Sequence, residues 1–107
     1  MTYRVKWTGE AQDDLLRLYD FLLERELNRV DGTADFAIAD KAITAIQDGL
    51  ATLQRSPFTC RKAAQSPFLR ELVIPFGATG YVALFEISGP DTVVIAAVRH
   101  QREDDYH

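Results

Sequence analysis

Between residues 69 and 100 the chain reads Leu69-Arg70-Glu71-Leu72-Val73-Ile74-Pro75, then Gly80-Tyr81-Val82-Ala83-Leu84-Phe85-Glu86-Ile87-Ser88, then Thr92-Val93-Val94-Ile95-Ala96-Ala97-Val98-Arg99-His100. These are three β-rich runs. The segments between them, Phe76-Gly77-Ala78-Thr79 and Gly89-Pro90-Asp91, have the residues of hairpin loops. The pattern predicts consecutive antiparallel strands over Leu69–Pro75, Gly80–Ser88 and Thr92–His100. In Tyr81–Phe85 and Val93–Val98 both alternating faces are apolar. A sheet covered by helices on one side needs only one apolar face. The second is therefore closed either by the chain's own ends or by a partner.

Upstream, Tyr3-Arg4-Val5-Lys6-Trp7-Thr8 alternates as a half-buried strand does, and Thr8 is placed to cap a helix. From Glu10 to about Leu27 the apolar positions Ala11, Leu15, Leu18 and Leu22 recur at helical spacing, with Asp13 and Asp14 near the positive end of the helix dipole. Asn28 to Thr33 reads as a loop turning at Asp31-Gly32. A second helix is expected from about Thr33 to Arg55 on the stripe Phe36, Ala39, Ile43, Ile46, Leu50 and Leu53. The short loop makes the two helices antiparallel neighbours. Ser56-Pro57 ends the pattern, and a connection runs to about Pro67. The order is β-α-α-β-β-β, an α+β fold, with no repeat or linker to divide residues 1–107 into more than one domain.

The composition narrows the function. At 107 residues the chain is long enough for one self-sufficient core. Cys60 is the only cysteine, which rules out an internal disulfide and suits a reducing compartment. No apolar run approaches the roughly 18 residues that span a bilayer, so no membrane role is expected and the cytoplasm is the expected location. The net charge of −4 disfavours broad phosphate gripping. It is unevenly spread: residues 1–56 hold 7 basic and 10 acidic side chains, residues 57–107 hold 5 and 6. A focused basic patch at Arg61, Lys62, Arg70, Arg99 and Arg102 remains open.

The closing segment, Val98 to His107, sets arginine, histidine, acids and tyrosine at one strand end. Arginine can grip a phosphate in two places, histidine moves protons near neutral pH, and tyrosine stacks or donates. Such residues serve a metal-free ribonuclease, and equally an ordinary charged tail. Glu103, Asp104 and Asp105 are consecutive, so they cannot converge on one ion in regular structure, and no metal site is expected. No phosphate loop or nucleophile elbow occurs, no cofactor is implied, and Cys60 stands in no motif.

Several stretches together resemble the RelE/ParE toxins. They are the Tyr-Arg-Val opening, Thr8-x-x-Ala11-x-x-Asp14-Leu15, Leu53 with Pro57, Arg70-Glu71-Leu72-Val73-Ile74-Pro75, Gly80-Tyr81, and Arg99-His100-Gln101-Arg102-Glu103 through Tyr106. The resemblance covers nearly the whole chain. It implies a helical hairpin on one face of an antiparallel sheet, and a toxin held in a hetero-oligomer with a small cognate antitoxin that folds on binding. Such an antitoxin would cover apolar strand surface, with Tyr81, Ala83 and Phe85 as candidate contacts if it takes their face of the sheet. The family divides by target. ParE-like members inhibit DNA gyrase without cutting anything, whereas RelE-like members cut messenger RNA on the ribosome. Under the cutting reading the catalytic residues are His100 and Tyr106, with Arg61, Lys62, Arg70, Arg99 and Arg102 as phosphate- or target-binding groups. The cutting branch's arginines, however, fall here at His100 and at about Pro75. The resemblance therefore favours the ParE-like branch.

Overall fold

The computed structural model describes residues 2–63 and 66–101. Five strands and two helices follow one another as β1 (Arg4–Trp7), α1 (Gly9–Leu27), α2 (Ile38–Ala51), β2 (Arg61–Lys62), β3 (Leu69–Phe76), β4 (Thr79–Ser88) and β5 (Thr92–His100), with single 3-10 turns at Thr52–Gln54 and Pro57–Thr59. The strands form one sheet in the order β1-β5-β4-β3-β2. From β2 to β5 every pairing is antiparallel, as the hairpin signals require. At the other edge β1 lies parallel to β5, Arg4 opposite Thr92 and Trp7 opposite Ile95, so the sheet is mixed. A parallel pair needs a long crossover. Here everything between the two strands supplies it.

Both helices lie on one face. Ala11, Leu18 and Leu22 of α1 and Ala39, Ala42, Ile46 and Leu50 of α2 meet Ile74, Tyr81, Ala83, Phe85, Val93, Ile95 and Val98 of the sheet in one buried core. The strand side of that core alternates along β4, then skips at a bulge in β5, where Leu84 opposes Ala97 but Phe85 opposes Ile95. The extra residue is Ala96. On the outer face, Val82 and Leu84 are only 5% and 8% exposed, packed with Ala63, Leu69 and Ala97. Apolar exposure therefore lies mainly on the helices and loops, and not on the centre of β4.

Two close approaches tie the layers together. Gly49 of α2 sits so near Ile74 that a Cβ there would stand 2.9 Å from its Cγ1. Gly80 faces Pro75 across the β3–β4 ladder. A Cβ on Gly80 would come within 2.3 Å of the Ile74 carbonyl oxygen.

The second helix begins at Ile38, later than its stripe suggests, and Phe36 is exposed in the turn before it. Side chains hold residues 31–37 out of the helix. Asp31 Oδ1 accepts from the Thr33 N–H at 3.0 Å, and Asp35 Oδ1 accepts from the Ala37 N–H at 3.0 Å. The anchor is Glu26, whose side chain is 2% exposed. Its Oε1 accepts from the Asp35 N–H at 3.0 Å and its Oε2 from Arg29 Nε at 2.9 Å. These bonds, the Asp35 amide first and then Arg29, hold the carboxyl below the ordinary glutamate value of 4.5. A lowered folded-state pKa means that this stabilisation is complete above the ordinary value and is lost as pH falls through the lowered one. Glu26→Gln is expected to lower Tm by several degrees at pH 7. The gap from wild type should narrow steadily in melts taken below pH 4.5. An undiminished gap at pH 3 would show that the carboxylate's charge is not what matters.

Candidate functional site: the β4–β5 strand end and the helical trough

β5 ends on the residues singled out in the sequence. Strand alternation divides them: Arg99 lies opposite Val82 and so on the outer face, while His100 lies opposite Tyr81 and faces the helical side. The His100 ring meets Tyr81 edge-on, with centroids 5.6 Å apart. His100 Nε2 is 3.0 Å from Thr79 Oγ1. Phe76 stacks obliquely on Tyr81 from the other side, at 6.0 Å. Arg102 and Tyr106, and the acids Glu103 to Asp105, lie outside the described residues.

The other candidate cations are dispersed. Arg61 is ion-paired with Glu71. Arg70 donates to the Cys60 carbonyl at 2.7 Å and lies over the Phe58 ring at 5.3 Å, so it braces the loop before β2. Lys62 is exposed at the β2 edge, opposite Arg70. The Cys60 thiol is pushed up by burial, which keeps it protonated and unreactive at neutral pH. Among the described residues no three His, Cys, Asp or Glu side chains gather as a metal site would need, and no helix is long and apolar enough to cross a membrane.

Placing an antitoxin on Tyr81, Ala83 and Phe85 is corrected by the packing. These three point into the core beneath the chain's own helices. The accessible apolar surface is elsewhere, and sequence spacing did not reveal it. Trp7 of β1, Gln12, Leu15, Leu16 and Tyr19 of α1, and Ile43 of α2 line an open trough of about 390 Å³. A second hollow of about 290 Å³ shares Trp7 and Leu15 and runs towards Gln54 along α2. Leu16, which lines the first trough, is 64% exposed. Leu15 and Ile43 belong to the helical stripes read from the sequence and pack against the core while lining the trough, whereas Leu16 lies outside both stripes.

Residues 5–105 match the family described as ParE toxin of type II toxin-antitoxin system, parDE. The chain belongs to the ParE toxin family. Its relatives include Toxin RelE3 of Caulobacter vibrioides, 36% identical over 93 residues that cover 87% of this chain and 88% of that one. The fold is shared with a chain from the chromosomal ParDE system of P. aeruginosa, at a TM-score of 0.71 and 22% identity over 92% of this toxin and 96% of that chain. It is shared less closely with a chain from the RelBE2 toxin–antitoxin complex of Mycobacterium tuberculosis, at a TM-score of 0.57 and 21% identity over 94% of this toxin and 100% of that chain. The α+β architecture with a helical hairpin on one sheet face is thus a toxin fold. Among the described residues, the toxin's strand end offers an imidazole and a threonine hydroxyl within 3.0 Å of each other on the helical side.

Proposed function

We propose that this toxin arrests growth by inhibiting DNA gyrase, in the manner of the ParE-like branch, and that a cognate antitoxin silences it by seating an apolar segment in the trough beside Trp7. The observation that carries the choice of target is Pro75. A ribonuclease must neutralise charge that builds on the scissile phosphate, and it does so with a fixed cation. The resemblance puts the cutting branch's strand cation at about Pro75, which pairs with Gly80 one step beyond the row joining Ile74, Tyr81 and His100 and offers no charge there. Arg99 lies on the outer face, across the sheet from His100. Arg61 and Arg70 are committed to Glu71 and to the Cys60 carbonyl. The match to the ParE family over residues 5–105 supports the same branch.

One observation favours the alternative. His100 within 3.0 Å of the Thr79 hydroxyl is a pair able to relay a proton, as a ribosome-dependent ribonuclease needs. The test runs both assays on one preparation: supercoiling by purified gyrase, and transcript cleavage on translating ribosomes. The expected outcome is loss of supercoiling with intact transcripts, and only a modest weakening in His100→Ala. A general acid–base residue would instead cost about 10²- to 10⁴-fold in cleavage when removed. Cleavage that disappears in His100→Ala, with supercoiling untouched, would establish the ribonuclease.

A further inference from the structure

The motif Thr8-x-x-Ala11-x-x-Asp14 has a physical reading once the fold is known. β1 stops at Trp7, opposite Ile95, while β5 runs on to His100. Beyond Ile95 the β1-side edge of β5 therefore has no strand partner, and the bulge at Ala96 disturbs the ladder at the same place. The start of α1 takes over. The Thr8 N–H donates to the Ile95 carbonyl at 3.1 Å. The Thr8 hydroxyl donates to the Ala96 carbonyl at 3.2 Å, and its oxygen caps α1 by accepting from the Ala11 N–H at 3.1 Å. Ala11, fully buried, lets the helix come close. Asp14 Oδ2 then accepts from the Val98 N–H at 2.9 Å, a contact spanning 84 residues of sequence.

Val98 is fully buried with Asp14 in place, so losing the carboxylate removes both the acceptor and the cover of its N–H. The bond is charge-assisted, and the carboxylate is further steadied by Arg17 at 3.7 Å. The next residues along the strand are Arg99 and His100. β4 pairs one edge of this strand end through His100, and the Asp14 carboxylate holds its other edge at Val98.

We infer that Asp14 is a positioning residue, which through the Val98 amide sets the direction in which β5 presents Arg99 and His100 to the toxin's target. The inference rests on the reading of that strand end as the target-facing surface. The experiment compares wild type with Asp14→Asn, which keeps an acceptor oxygen, Asp14→Ala, which removes it, and Asp14→Glu, which keeps the charge one methylene farther out. Amide exchange and chemical shifts of Val98, Arg99 and His100 are measured beside potency, well below Tm, in whichever assay the wild type affects, supercoiling or transcript cleavage.

Asp14→Ala should remain folded, expose the Val98 amide to faster exchange, and lose about tenfold in potency through the displaced strand end. Asp14→Asn should recover most of that potency. Should Asp14→Ala fail to fold, Asp14→Glu carries the test, with displaced Arg99 and His100 shifts and a similar potency loss. Wild-type potency in a folded Ala or Glu variant would reduce Asp14 to a stabilising residue and overturn the inference. A Val98 amide as protected in Asp14→Ala as in wild type would remove the clamp itself. A wild type inactive in both assays overturns the functional reading, and the positioning role with it.

Discussion

Gly80→Ala is expected to remove a large part of the toxin's folding stability. The added Cβ would lie 2.3 Å from the Ile74 carbonyl oxygen and 3.1 Å from the Pro75 Cα, both backbone atoms of the neighbouring strand. A flexible side chain could swing aside, but here the ladder itself must part. β3 and β4 are paired over their length, and Tyr81, adjacent to the clash, anchors Phe76 and His100 by ring contacts. Overpacking a core ordinarily costs about 1–3 kcal/mol. A backbone clash belongs at or above the top of that range, against a total stability of about 5–15 kcal/mol. Circular dichroism melts and the soluble yield, compared with Gly77→Ala, measure the effect. Gly77 sits in the hairpin turn with nothing within 4 Å of an added Cβ, so it reports turn strain without a clash. A Gly80→Ala protein that melts like wild type would show that the two strands are not held this closely.

Leu16→Glu is expected to separate toxin from antitoxin while leaving the fold alone. Leu16 is 64% exposed, so replacing it should change stability by no more than about 0.5 kcal/mol. A carboxylate in a trough lined by Trp7, Leu15, Tyr19 and Ile43 would be desolvated by any apolar segment seated there. Truncating an interface anchor costs about 2 kcal/mol or more, roughly 30-fold in affinity, and an added charge costs at least as much. The cellular readout follows from mass action. Co-expressed antitoxin rescues growth of cells making the wild-type toxin and fails to rescue cells making the variant. Titration of the purified antitoxin gives the affinity directly. Unchanged affinity at unchanged Tm would move the antitoxin to another surface.

Much of the architecture was legible because its causes are local. Ala11, Leu18 and Leu22 are buried, as their spacing requires. The turn glycines Gly77 and Gly89, with φ of 61° and 69°, close the two hairpins that the loop residues signalled. What stayed hidden depends on partners distant in sequence. Asp14 reads as an acid suited to the start of any helix, and nothing near it announces Val98. The late start of α2 is dictated by Glu26 reaching the Asp35 amide across the loop. β2 is two residues long, too short for any periodicity to show. The parallel seating of β1 leaves no mark in either strand. The candidate site divides in the same way. Alternation alone places Arg99 and His100 on opposite faces, but only the packed structure shows that Tyr81, Ala83 and Phe85 are spent on the core.

The pairing of β1 with β5 also bears on when the toxin comes into being during its synthesis. Val5 and Trp7 are made well before the backbone they align with, Val93 to Ile95, some ninety residues later. The cost of closing so large a loop is met late, when the far strand exists to receive the near one. A nascent chain that has not reached Thr92 has its helices but no neighbour for its first strand, and it lacks the Val98 amide that Asp14 holds. The strand that carries Arg99 and His100 is the one that receives β1, so the sheet and its Arg99–His100 end are completed together.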